Sequence, residues 1–219
     1  MELALIRRFL FKTWITLGGN RTNSALAPRD IALYRVVIET NTPSWKVRLA
    51  LNAGDAVLAI AKDRYPNISA TLTGSVTNLL SAGKRMQRTG NEHFLQLPGA
   101  AAGALVPGNY YLLVASEGVV GSDTTRIGTG NASYVLQSVG ALPEIDLGLL
   151  RTNDLVYAGT LEGGEVAAFH FHNDPFPTTL GFELSLEDRV GNPVMVARSE
   201  MPLADPGAAS TWRWGSFCG

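Results

Sequence analysis

The heptapeptide Trp45-Lys-Val-Arg-Leu-Ala-Leu51 alternates in side-chain character with period two. In an extended strand successive side chains leave opposite faces, so Trp45, Val47, Leu49 and Leu51 share one face, and Lys46 and Arg48 the other. A helix would scatter the same residues around its circumference. The pattern demands a strand with one dry and one wet face. Tyr34-Arg-Val-Val-Ile38, Ala56-Val-Leu-Ala-Ile60, His93-Phe-Leu-Gln-Leu97, Asn109-Tyr-Tyr-Leu-Leu-Val-Ala115 and Ala132-Ser-Tyr-Val-Leu-Gln-Ser138 are further strands. Turn formers separate them, among them Asn52-Ala-Gly-Asp55 and Val106-Pro-Gly108. The 23 glycines and 11 prolines in 219 residues suit many short connections. Only Ser75 to Ala82 suggests a helical turn, which Gly83 would stop, and Gly118 to Gly130 is expected to be a long loop. The expected class is all-β, an antiparallel β-sandwich.

The chain also carries an internal repeat. Ser24-Ala-Leu-Ala-Pro-Arg-Asp-Ile-Ala-Leu-Tyr-Arg-Val36 lies over Gly159-Thr-Leu-Glu-Gly-Gly-Glu-Val-Ala-Ala-Phe-His-Phe171 without a gap, at an offset of 135. Asp30 meets Glu165, Tyr34 meets Phe169 and Val36 meets Phe171. At the same offset Trp45 to Leu51 matches Leu180-Gly-Phe-Glu-Leu-Ser-Leu186. The same alternation at the same spacing specifies the same strands with the same buried face. Nothing after Ala197 resembles the strands at His93 and Tyr110, and a half sandwich leaves sheet edges without partners. The expected organisation is an N-terminal segment (1–23), a sandwich (24–141), a linker (142–154) and a second, incomplete sandwich unit (155–219). On this reading the chain is a fragment of a longer one. The rival arrangement packs the second half onto the first as extra strands.

Composition excludes some roles. A net charge of −1 offers no cationic surplus for nucleic acid. The lone cysteine, Cys218, permits neither an intrachain disulfide nor a cysteine-based zinc site. Arg7, Arg8 and Lys12 interrupt the apolar start, so no secretory h-region is visible there, and no segment approaches transmembrane length. A natural N-terminus upstream of Met1 would account for the missing leader. Three sequons, at Asn20, Asn67 and Asn131, are common in Ser/Thr-rich loops and carry little weight.

Gly54-Asp-Ala-Val-Leu-Ala-Ile60 with Pro66, then Gly90-Asn-Glu92, then Pro107-Gly-Asn-Tyr-Tyr-Leu-Leu-Val114 resemble the bacterial pre-peptidase C-terminal domain. The match spans roughly residues 24 to 140, and 155 to 200 look like the opening of a second such domain. The resemblance implies a jelly-roll-like sandwich, secreted or cell-surface, serving as a non-catalytic accessory module beside other domains. It also implies calcium as the ion such a domain could hold. This chain departs from the family at Val57 and Ala59, where an Asp and an aromatic are usual. Of the acidic residues expected near the domain's start it has Asp30 and Glu39.

The strongest candidate for chemistry is His170-Phe-His172-Asn-Asp174. On a strand His170, His172 and Asp174 share a face, and two imidazoles with a carboxylate are suitable donors for zinc. The plainer reading turns Phe169 and Phe171 to the core and the histidines to water. Asp55 could contribute to an oxygen-ligand cation site, or merely cap its own turn. Trp45, Tyr110 or Tyr111 could stack on sugars, though strand phase favours Trp45 as core. No nucleophile elbow, phosphate loop, dinucleotide fingerprint or His-Glu-x-x-His motif occurs. The expected function is binding or spacing without catalysis, with an extracellular polymer, protein or cell-surface component as partner. The rivals are a carbohydrate-binding module and a metal-dependent enzyme using His170 and His172.

Overall fold

The computed structural model describes residues 13–66, 84–87, 89–99, 102–118, 129–150, 155–173 and 182–197. The described residues are all-β, with no helix. The strands are β1 (Thr13–Trp14), β2 (Asn20–Leu26), β3 (Ile31–Ile38), β4 (Trp45–Ala53), β5 (Asp55–Lys62), β6 (Lys84–Met86), β7 (Glu92–Gln96), β8 (Gly108–Gly118), β9 (Ala132–Gly140), β10 (Glu144–Leu150) and β11 (Ala168–Asn173). A five-stranded sheet in the order β1-β3-β8-β5-β6 packs on a four-stranded sheet in the order β2-β9-β4-β7. Pairing within the sandwich is antiparallel except for β1 with β3.

The two sheets share one apolar core. Trp45, Val47 and Leu49 of β4 face Leu58 and Ile60 of β5 and Leu112 and Val114 of β8, all fully buried. Trp45 sits at its centre, edge-on to Phe94 at 5.9 Å and to Tyr110 at 5.3 Å. Its indole N–H donates to Ser138 Oγ at 2.9 Å, so the polar atom buried with the ring is satisfied. The hydroxyls of Tyr34 and Tyr134 meet across the sheets at 2.8 Å, and burial raises the pKa of both. β5 is buried along its whole length, which is why it spells an apolar run rather than an alternation. Its outward Val57 and Ala59 join Leu113 and Ala115 in a second small cluster.

Beyond the sandwich, β10 and β11 form a parallel ribbon. β10 lies inside the stretch expected as a linker, and β1 and most of β2 inside the expected N-terminal segment. Two features recur at the offset of 135. In the first unit the Asp30 N–H donates to Ala27 O at 3.0 Å, with Arg29 at φ 65°; in the second, Glu165 N–H donates to Glu162 O at 3.0 Å, with Gly164 at φ 81°. Both turns carry the positive φ at their third residue, as a type II turn requires. Each turn leads into a strand paired in parallel with one that precedes it, β1 with β3 and β10 with β11. Residues 182–187, the counterpart of β4, carry no strand. A strand exists only against a partner: β4 draws its pairing from β7 and β9, and no described strand lies beside 182–187.

The described rings of the second unit stay close to solvent. Phe169 is 41% exposed and packs on Tyr157 at 4.9 Å, while Phe171 meets Phe182 at 5.2 Å. The expectation that Phe169 faces a core is therefore corrected. The ribbon has two sides but no second sheet among the described residues to bury either of them.

Candidate functional site

Among the described residues three surfaces gather polar or aromatic side chains. The first crosses the outer face of the five-stranded sheet. Ile15 turns into the core and its N–H donates to Arg35 O at 3.0 Å, which fixes β1 on the sheet edge and sends Trp14 outward. The Arg35 guanidinium stacks on the Trp14 ring, 3.2 Å from its centroid. Arg35 stands opposite Tyr111 in the β3–β8 register, and Tyr111 meets Tyr65 at 5.1 Å with the rings at 76°. Trp14 and Tyr65, at the two ends of the row, are 59% and 54% exposed. The row of Trp14, Arg35, Tyr111 and Tyr65 covers two strand steps and the 5.1 Å ring contact, together roughly 14 Å. Trp45 and Tyr110, considered above as sugar platforms, are core residues instead, because their phase turns them inward.

The second surface lies where the second unit meets the sandwich. The wet side of β4 is covered here: Lys46 Nζ reaches Glu165 at 3.0 Å and Arg48 reaches Glu162 at 2.8 Å. Glu162 also accepts from His93 Nε2 at 2.7 Å and from Asn91 Nδ2 at 3.0 Å. These donors, His93 first, hold the Glu162 carboxyl at a pKa of about 2. A group whose pKa is lowered in the folded chain stabilises it above its ordinary pKa and ceases to do so as pH falls through the folded value. The docking of 155–167 on the sandwich is thus expected to weaken between about pH 4.5 and 2. Amide exchange in that segment, followed with pH, measures it. Glu162→Gln should lower protection already at neutral pH and flatten the acid transition. Identical pH profiles in the two proteins would refute the assignment.

The third surface is the exposed face of the β10–β11 ribbon. Asp146 and His170 are register partners, and His172 follows two residues later on the same face. The donor atoms of Asp146, His170 and His172 all lie within 4.8 Å of one another, and the two imidazole rings are 5.6 Å apart. His170 Nε2 stands 3.4 Å from Asp146 Oδ1, and its Nδ1 stands 3.5 Å from Glu144 Oε2. Asp146 Oδ1 accepts the Gly148 N–H at 2.8 Å, the chief reason its pKa is lowered. The carboxylate in this cluster is therefore Asp146; Asp174 lies outside the described residues. Sequence reasoning missed Asp146 because it arrives from a strand over twenty residues upstream. The alternation Glu144-Ile-Asp146, opposite in phase to Ile145, was the available signal.

Asp55 is buried, and its Oδ1 accepts from the Ala56 N–H at 3.0 Å and the Gly90 N–H at 3.4 Å. That is the capping role, and Asp55 belongs to no metal-capable group among the described residues. Asp30 and Glu39 are exposed and join no such group either.

Fold and surfaces together define an antiparallel β-sandwich. No family model matches the chain, and no curated protein does. Among solved structures the chain is similar to the pre-peptidase C-terminal domain of a collagenase from Bacillus anthracis. That similarity has 14% identity and a TM-score of 0.33, over 57% of this chain and 90% of that domain.

Proposed function

We propose that the chain is a non-catalytic accessory module of an exported, multidomain bacterial protein. Its contact surface is the end of the outer face of the five-stranded sheet that carries Trp14 and Tyr65, beside the buried cluster of Val57, Ala59, Leu113 and Ala115, and its ligand is an extended polysaccharide. The observation that carries this reading is the row Trp14–Arg35–Tyr111–Tyr65. Exposed rings offer apolar faces to the C–H faces of sugars, and a guanidinium between them donates to hydroxyls. A row roughly 14 Å long suits several linked monomers better than one small molecule. A net charge of −1 disfavours a polyanion as ligand.

The test is retention on insoluble polysaccharides such as cellulose, chitin and cell-wall sacculi. Wild-type protein is expected to be retained on at least one of them. Trp14→Ala and Tyr65→Ala should each weaken retention about tenfold, the scale of roughly 1.4 kcal/mol for an exposed anchor ring. No retention on any polymer, or retention indifferent to both substitutions, would overturn the proposal.

Residues 142–197 are, on this reading, the opening of a second unit of the same kind. The recurring turn and the recurring parallel pairing at one offset support it. Exposed Val156, Leu161, Phe182, Val190 and Val194 are the apolar side chains that strands like β7, β8 and β9 would cover in a complete unit.

A further inference from the structure

We infer that the β10–β11 ribbon carries a transition-metal site, with Asp146, His170 and His172 as its protein ligands. The ion would clasp one strand of the pair to the other. Two donors each about 2.0–2.1 Å from a tetrahedral zinc ion stand about 3.3–3.4 Å apart. Asp146 Oδ1 and His170 Nε2 already stand 3.4 Å apart across the two strands. His172 belongs to the same 4.8 Å group, and as an exposed side chain it closes the remaining distance by turning about its own torsions.

A second observation points the same way. When Nε2 of a histidine binds metal, its Nδ1–H is normally held by a carboxylate or carbonyl, which fixes the ring and strengthens the donor. His170 Nδ1 is buried without a hydrogen bond, and Glu144 Oε2 waits at 3.5 Å from it. Glu144, two residues before Asp146 on the same face of β10, is the orienting carboxylate of this arrangement. The bulge between Asp146 and Leu149, with Gly148 at φ 90°, turns the Gly148 N–H onto Asp146 Oδ1 and fixes that carboxylate toward the histidines. Two imidazoles and one carboxylate suit zinc, nickel or copper better than calcium or magnesium, which prefer all-oxygen shells. A fourth position is left to water. The role assigned is cross-strand binding, which gives the ribbon a hold that its open faces lack.

The experiment uses the full chain in a Cys218→Ser background, with Zn²⁺ alone as the probe and a chromophoric chelator as competitor. One equivalent of Zn²⁺ per chain is expected. His170→Ala, His172→Ala and Asp146→Asn should each lower the affinity at least about a hundredfold, and Glu144→Gln about tenfold. His93→Ala, at the remaining histidine, should leave it unchanged. Far-UV circular dichroism checks that the exposed His172→Ala variant keeps its fold, so its loss of binding reports on the site. Wild-type protein that binds no Zn²⁺ overturns the inference. So does equal zinc content in wild-type protein and the His170→Ala/His172→Ala double variant.

Discussion

Trp45→Ala is expected to destabilise the protein by about 3–5 kcal/mol, a large share of the roughly 5–15 kcal/mol that holds a typical domain folded. Trp45 is fully buried at the meeting of the two sheets. Its removal strips the edge contacts to Phe94 and Tyr110 and leaves a cavity that neighbouring strands cannot close. It also leaves Ser138 Oγ buried without the indole that donates to it. Urea denaturation measures the loss, and Ser138→Ala separates the polar part, which should cost about 1–3 kcal/mol. A Trp45→Ala protein unfolding at the wild-type urea concentration would mean that β4 does not face this core.

Gly54→Ala is the second large effect, about 2–4 kcal/mol and a fall of about 5–15 °C in melting temperature. Gly54 joins β4 to β5 at φ 71°, a conformation that an L side chain adopts at a cost of about 1–2 kcal/mol. An added Cβ would also stand 2.8 Å from Gly118 O, 3.0 Å from Ala132 Cα and 3.0 Å from Asn131 O. All three are backbone atoms, so a side-chain torsion cannot relieve the contact. Gly18 has a similar φ of 82° with nothing near its missing Cβ. Gly18→Ala should therefore cost the conformational part alone. Equal melting temperatures for the two variants would contradict the close approach of the three strands at Gly54.

These two positions illustrate what was legible in the sequence. The inward face of β4 followed from its alternation, because period-two spacing fixes which side chains share a face. The strands at Tyr34, His93, Tyr110 and Ala132 were legible for the same reason, and β5 from a short apolar run following a turn-forming tetrad, with ends shifted by a few residues. β2 was not legible. Asn-Arg-Thr-Asn-Ser is polar on both faces, and it is a strand because β9 offers it a hydrogen-bonding edge. β10 was hidden in the same way, its parallel partner standing more than twenty residues downstream.

The candidate sites divide along the same line. His170 and His172 share a strand, so their common face was visible from spacing. Asp146 and Glu144 reach them by strand pairing, which spacing alone does not reveal. Tyr111 was visible as the outward neighbour of Tyr110, but Trp14, Arg35 and Tyr65 join it from three other segments. Lys46 and Arg48 were expected on a wet face. They instead anchor Glu165 and Glu162, because two carboxylates of the second unit fall within reach of two cations left over by the alternation.

The claim that the Trp14–Tyr65 end of the outer face of the five-stranded sheet is the binding surface has a direct spectroscopic test. The chain has four tryptophans, whose indole N–H signals are few enough to assign by substitution. A soluble oligosaccharide of whichever polymer retains the protein is titrated into labelled full-length chain. The Trp14 indole signal is predicted to move and saturate with the ligand, while that of Trp45, buried and bonded to Ser138, stays in place. A Trp14 signal that does not move when binding is saturated would contradict the account.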